Sequence, residues 1–539
     1  MFRVSRRVLS FLALNLVVLA LTIACSPKTG QLSSPTSPAT GIEQTFTIAI
    51  GEDVGVLNPH TYDAHSFVAL AMIYEPLVRY ADDGGIQPVL AESWQASDDN
   101  LTWTFKLRQG VAFQDGTPFN AEAAKWNLQQ WVNVADHDWL PVSTQIAAIE
   151  TPDSNTLVLR MKEPYYATLQ ELTLVRPVRF LSPKAMDGQG KFTQPVGTGP
   201  WKVADYTPDQ KLVLTPSETY WGKQPTLSQV VLDVIPDPQT RVAALISQEV
   251  DLIGGKYLGG IPVESISTLQ NNPDVEVLTA DGTTTYLIQM NYRRSPFDDV
   301  RVRRALNYAI DRDAISRQVF NNLANPAQGF FAPNLPYVTY PDANLYTYNP
   351  DQARALLQEA GWVAGDNGAL IKDGAPLQLT IMIDTELFPQ AKSMTEVVQA
   401  ELKQVGIELQ IRQVNSGGRA DALESGDFDM TVGVTYGAPY DPHSSLKDLF
   451  SSTGEGSDHG GFYADAELDR MIDQVLKTTD DGDRKTQYTK IWQYLDEKAV
   501  AIPVLFSQRV YALNKGVQGF DLAGTEYELD LQGVTKTES

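Results

Sequence analysis

Thiol and imidazole, the side chains that most often do chemistry, are scarce in this chain. Among 539 residues there is one cysteine, Cys25, and five histidines, at positions 60, 65, 137, 443 and 459. A metal cage needs several such groups at close spacing, and these histidines form no spaced ligand cluster. The sequence has no GxSxG elbow, no HExxH helix, no phosphate-cradling GxxxxGK[ST] and no catalytic cysteine. Asp and Glu together number 66, but abundance does not identify an acid–base pair. The residues give little support to an enzyme. What they do offer is recognition chemistry: the fixed donor fork of arginine pairs bidentately with carboxylates, and tyrosine and tryptophan supply flat apolar walls with a polar edge.

The location of that chemistry is written at the start of the chain. Met1 to Arg7 holds three arginines and no acid, Val8 to Ala24 is apolar apart from Ser10, Asn15 and Thr22, and Ala24-Cys25 follows. That is the layout of an export signal, with the lone cysteine where a bacterial lipoprotein signal places its lipidated residue. Residues 1–24 are therefore expected to be a cleaved signal and Cys25 the lipid attachment point. Thr22 departs from the aliphatic residue such a signal favours three positions before the cysteine. The alternative is an uncleaved membrane anchor, but the 17-residue run falls short of the roughly 20 needed to span a bilayer. Either way, the remainder works outside the cytoplasm. Residues 25–44, rich in Ser, Pro, Thr and Gly, read as a flexible tether. With its thiol acylated, the mature chain has neither a disulfide nor a zinc–thiolate site. Loss of Arg3, Arg6 and Arg7 takes the formal charge from −24 to −27, which argues against nucleic acid as a partner.

Behind the tether, roughly 495 residues are too many for one simple core, so at least two lobes are expected. Phe46, Ile48 and Ile50 alternate as in a strand, as do Trp103, Phe105 and Leu107. Asn349-Pro350 caps a helix that carries Ala353, Leu356, Leu357 and Ala360 and stops at Gly361. Leu377 to Ile383 alternates, Met394 to Val405 has helical spacing, and Ile407 to Ile411 alternates again, the signature of a strand–helix–strand crossover. The fold class is mixed α/β.

Several blocks carry a family resemblance. Leu90-Ala-Glu-Ser-Trp94, Leu101 to Arg108, Val111 to Ala123, Val196-Gly-Thr-Gly-Pro-Trp201, Tyr220-Trp-Gly222, Ile235 to Arg241, Val300 to Ile310 and Tyr348 to Trp362 together resemble the dipeptide, oligopeptide and nickel class of extracytoplasmic solute-binding proteins of ABC transporters, family 5. Leu57 to Tyr62, Ile73 to Tyr80, Tyr165-Tyr166, Glu171 to Phe180 and Tyr436-Gly-Ala-Pro-Tyr-Asp-Pro-His443 are similar to its nickel-binding branch. The resemblance implies a two-lobed type II periplasmic-binding-protein fold with two hinge crossings and an extra subdomain in lobe I. Lobe I would span 45–287, lobe II 288–507, and residues 508–539 would return to lobe I.

By the same resemblance the protein is a monomeric, lipid-anchored, periplasmic receptor. It captures nickel(II) as a small organic chelate and hands it to an inner-membrane ABC permease with its cytoplasmic ATPase, with no covalent cofactor beyond the lipid at Cys25. A peptide receptor of the same fold and a structural lipoprotein are the alternatives. The implied ligand-binding positions are Tyr62, Phe67, Trp139, Arg176, Tyr436 and Tyr440, with His459 on the metal. Arg179 competes with Arg176 for the role of carboxylate clamp, and His443 reads as a structural hydrogen-bonder. Asp136 stands where the branch can carry a second arginine, which implies a carrier with fewer free carboxylates or a cationic group of its own.

Overall fold

Alternating apolar residues of the strand Thr45–Ile50 start a sheet that organises the whole molecule. In the computed structural model, Phe46 and Ile48 are fully buried and the strand pairs in parallel with Gln229–Val234. The structure describes residues 44–61, 65–340, 346–366, 368–452, 463 and 465–537, all within the compact unit Glu43–Ser539. Cys25, Tyr62 and His459 lie outside the described residues.

The main sheet has the strand order Glu408–Gln413, Gln378–Ile383, Met430–Val434, Val275–Met290, Ala501–Asn514, Leu252–Gly254, Thr45–Ile50, Gln229–Val234, Lys211–Pro216, Trp201–Thr207. The crossover expected in the 370s to 410s is present. Gln378–Ile383 and Glu408–Gln413 are parallel neighbours, with Leu379 opposite Leu409 and Ile381 opposite Ile411, joined through the helix Ala391–Gln404. Burial of Leu379, Ile381 and Leu409 contributes about 1.5–3 kcal/mol apiece, so a charge at Ile381 would break the register. The Asn349 side chain accepts from Gln352 N at 3.0 Å to cap the helix Pro350–Glu359, and Gly361 follows with φ +91°.

Two long antiparallel strands, Val275–Met290 and Ala501–Asn514, run between the two principal apolar cores. On the first strand Leu287 packs in one core and Ile288 in the other. On the second, Leu505 and Phe506 divide in the same way. The extra subdomain is a separate four-stranded antiparallel sheet, ordered Ala91–Ala96, Thr102–Leu107, Thr156–Met161, Ile146–Asp153. The mixed α/β class read from the sequence is the observed one. Residues 330–331, 440 and 488–495, far along the chain, contribute to the same core as Phe46 and Phe105.

Candidate functional site

The site begins at the short helix Phe67–Ile73, whose C-terminal end is fixed by close backbone approach. Gly199 N donates to Ile73 O at 2.9 Å, and a Cβ placed on Gly197 would meet Ile73 O at 2.0 Å. The glycines of Val196-Gly-Thr-Gly therefore let one segment lie directly against the helix that presents Phe67. Over the Phe67 ring, 4.4 Å from its centroid, stands the guanidinium carbon of Arg176, a cation–π contact that a planar guanidinium suits.

From Phe67 a row of rings extends through three other segments. Its edge meets Tyr257 at 5.1 Å and Tyr527 at 4.8 Å, and those two tyrosines stack on each other at 4.7 Å. Tyr527 continues to Tyr440 at 5.6 Å, and Tyr440 to Tyr436 at 6.2 Å. The Tyr527 hydroxyl donates to the Tyr436 carbonyl at 3.2 Å. Four of the positions implied by the resemblance, Phe67, Arg176, Tyr436 and Tyr440, thus meet in one continuous arrangement.

The loop carrying Tyr436 and Tyr440 is ordered by its own polar groups and by the crossing strand. Gly437 N donates to Asp441 Oδ2 at 2.8 Å, Tyr436 N to Ser445 Oγ at 3.0 Å, and Ala438 N to Thr283 Oγ1 at 2.8 Å. Burial pushes the Asp441 and Asp448 carboxyls up to about 6, opposed for Asp448 by a hydrogen bond from Tyr436.

Trp139 is half-buried beyond the turn Ala135–His137, packed on the first core. Its neighbour His137 is close enough to Arg176 for the two positive charges to oppose one another, one of the influences that hold the His137 pKa down, after burial. His60 is buried, and that burial is the chief cause of its pKa falling to about 4, so it stays neutral. His65 is exposed, with Nε2 2.6 Å from Glu52. His443 is buried with Nε2 3.4 Å from Glu171 Oε1, and Glu171 also accepts from Val142 N at 2.7 Å, as fits a structural role. Among the described residues no group of three or more His, Cys, Asp or Glu could hold a metal ion.

Arg179 is differently placed. It donates to the Tyr74 carbonyl at 2.8 Å and to the Ala71 and Leu174 carbonyls at 3.3 and 3.4 Å, and it pairs with Glu528. A cavity of about 610 Å³ lined by Asp281, Arg312, Asn325, Asp496 and Ser507, among others, shares no residue with the aromatic row.

Residues 85–457 match the family described as bacterial extracellular solute-binding proteins, family 5 Middle. The chain belongs to this family. It is 34% identical over 472 residues to the nickel-binding periplasmic protein of Escherichia coli (strain K12), covering 86% of this chain and 88% of that protein. It is also 30% identical over 488 residues to the glutathione-binding protein GsiB of Shigella boydii serotype 4 (strain Sb227), covering 88% and 91%. Among solved structures, NikA from Brucella suis in complex with Fe(III)-EDTA superposes with a TM-score of 0.84 at 33% identity, covering 92% of this chain and all of that one. The fold is the type II periplasmic-binding-protein fold.

Two members of the row in this family 5 protein, Tyr257 and Tyr527, were not singled out from the sequence. They lie 270 positions apart, in a Gly-Gly-Lys-Tyr turn and in the C-terminal segment, and neither stretch has a periodicity that would signal a ligand wall.

Proposed function

We propose that this family 5 substrate-binding protein captures nickel(II) as a small organic chelate for an ABC importer. The chelate would bind beside the row formed by Phe67, Tyr440 and Tyr436, with Arg176 taking a carrier carboxylate and Tyr62, Trp139 and His459 completing the surroundings. Lobes at 45–287 and 288–507, with 508–539 returning to the first, would close over it, and the closed form would be the one a permease recognises. Lipid at Cys25 would hold the protein at the membrane.

The observation that carries this reading is the Arg176 guanidinium seated 4.4 Å over Phe67 at the head of a row of aromatics from separate segments. A chelated metal needs few protein ligands, because its carrier fills the coordination sphere and leaves a flat-faced anion to recognise. The nickel-binding and Fe(III)-EDTA-bound relatives support the ligand class. A peptide reading is favoured by the glutathione-binding relative at 30% identity. Calorimetry separates the two. Nickel with histidine or an aminocarboxylate should bind tightly and raise the Tm, whereas free nickel should bind weakly. Tight binding of glutathione or small peptides, with no response to any nickel chelate, selects the peptide reading.

A further inference from the structure

Lys256 enters the structure through a turn that only glycine can make. Gly254 and Gly255 have φ values of +99° and +80°. A Cβ on Gly254 would stand 2.5 Å from the Val510 carbonyl oxygen, and one on Gly255 2.5 Å from the Tyr511 ring. The pair thus turns the chain tightly off the strand Leu252–Gly254, beside Ala501–Asn514, and straight into Lys256-Tyr257. Tyr257 joins the aromatic row, and Lys256 Nζ lies 5.3 Å from its ring centroid. The steps Arg176 to Phe67 (4.4 Å), Phe67 to Tyr257 (5.1 Å) and Tyr257 to Lys256 (5.3 Å) put the two cations at most about 15 Å apart, linked through two touching rings.

The surroundings of Lys256 combine solvation with crowding. The residue is exposed, yet groups from three separate segments, Tyr257, Glu526 and Tyr286, act on its charge. Burial among these groups opposes its charge most, but Tyr257, Glu526 and Tyr286 more than offset that, and its pKa is raised. Among the described residues no carboxylate stands within ion-pair distance of it.

We propose that Lys256 is a second cationic contact for the bound ligand, taking a carboxylate beside Tyr257, the ring next to the Phe67 that carries Arg176. The proposal rests on the cleft assigned under Proposed function. It answers the reversed charge at Asp136: the cation missing from that turn is supplied from the Gly254-Gly255 turn instead, so a ligand with anionic groups at two ends fits better than one with a cationic group of its own. Glu526 is the counterweight, close enough to tune Lys256 without neutralising it by contact.

The test is calorimetry on the full-length mature protein with nickel–nitrilotriacetate, nickel–histidine and nickel–histidinamide, comparing wild type with Lys256→Met, Lys256→Gln and Lys256→Arg. The expected result is a loss of roughly tenfold or more for the carboxylate chelates in the Met and Gln variants, with affinity largely recovered by Arg. Histidinamide, which lacks the carboxylate, should lose less than threefold, roughly the scatter of rim-charge changes. If both neutral variants stay within about twofold of wild type while Arg176→Ala weakens binding, Lys256 is removed from the site and the cleft stands. If wild type binds glutathione and no chelate, the nickel reading fails separately. The same variants then report on glutathione, whose carboxylates pose the same demand: loss keeps Lys256 in the site, and unchanged affinity excludes it. Lys256 is exposed, so Gln should fold, and matching Tm values identify affinity changes that are not misfolding.

Discussion

Arg176 and Arg179 stand three residues apart in the same run, Arg-Pro-Val-Arg, and they make different contacts. Arg179 is spent inward. Three backbone carbonyls and the Glu528 carboxylate take up its fork, tying the end of the helix Phe67–Ile73 to the C-terminal segment that holds Tyr527. Arg176, equally buried, is seated on the face of Phe67 at the head of the aromatic row. Two guanidiniums in one loop thus sit differently, one tied to carbonyls and a carboxylate and the other over an aromatic face. Residue type alone does not separate the two; the contacts of each side chain do.

The largest effect on stability should come from the inward member. Arg179→Ala leaves the partly buried Glu528 without its partner and strands three carbonyls, so it should cost about 2–4 kcal/mol in urea unfolding. A variant of wild-type stability that has lost ligand affinity would reverse the comparison and make Arg179 the clamp. Next comes Arg176→Ala, for which the loss should fall on affinity: on the order of 2–5 kcal/mol, or thirty- to several-thousand-fold in Kd for a carboxylate chelate. Arg176→Lys keeps the charge without the fork and should recover only part of it. Unfolding should change less than for Arg179→Ala, and wild-type affinity in the folded alanine variant would take Arg176 out of the site.

Glu75 sharpens the same contrast through pH. Burial is the main cause of its rise to about 7, offset in part by hydrogen bonds from Trp221, Thr198 and Tyr220 and by the nearby Arg179 charge. Between the ordinary glutamate value of 4.5 and about 7 the folded protein holds a proton that the unfolded chain has released. Stability from this carboxyl is therefore full below that window and is lost as pH rises through it. Glu401, raised to about 7, and Asp441 and Asp448, raised to about 6, act in the same direction. Glu75→Gln retains an acceptor for Trp221 Nε1, now 2.8 Å away, and should lessen the fall of the urea midpoint with pH from 5 to 8, leaving the part due to Glu401, Asp441 and Asp448. At pH 8 it should be more stable than wild type by about 1–3 kcal/mol. An unchanged pH profile would show that Glu75 ionises normally beside Arg179.

Much of this frame was legible in the sequence, for reasons that differ by region. Leu379 and Ile381 have the period of a strand and Met394 to Leu402 that of a helix, so the crossover could be read locally. Asn349-Pro350 announced its helix through capping chemistry that acts within four residues. The resemblance brought Phe67, Arg176, Tyr436 and Tyr440 together as candidates, and the structure joins them in one row. Tyr257, Tyr527 and Lys256 escaped because their meaning is tertiary. Tyr527 meets Phe67 from a segment that Arg179 ties down through Glu528, and Lys256 follows a Gly254-Gly255 turn packed against Val510 and Tyr511. The choice of Arg176 over Arg179 as the ligand arginine came from the resemblance, since no local pattern shows that the Arg179 guanidinium will find three carbonyls.

The smallest expected effect tests how far the row's far end belongs to the ligand. Tyr436 packs edge-on to Tyr440, and it hydrogen-bonds the Asp448 carboxyl, whose pKa burial has raised to about 6. Tyr436→Phe keeps the ring and deletes that hydrogen bond. At pH 7 Asp448 is mostly ionised and needs the donor, so stability should fall by about 0.5–1.5 kcal/mol. At pH 5 the carboxyl is mostly protonated in the folded state, and the loss should shrink. Because the aromatic wall is intact, affinity for a nickel chelate should stay within about threefold, whereas Tyr440→Ala, which opens a gap between Tyr527 and Tyr436, should weaken it more. Urea titrations at the two pH values, read beside calorimetry on the same preparations, separate these roles. A tenfold or greater loss of affinity in Tyr436→Phe, with stability unchanged at both pH values, would mean that the hydroxyl serves the ligand rather than Asp448. Tyr436 would then belong with Arg176, facing the enclosed space, instead of with Arg179, holding the wall in place.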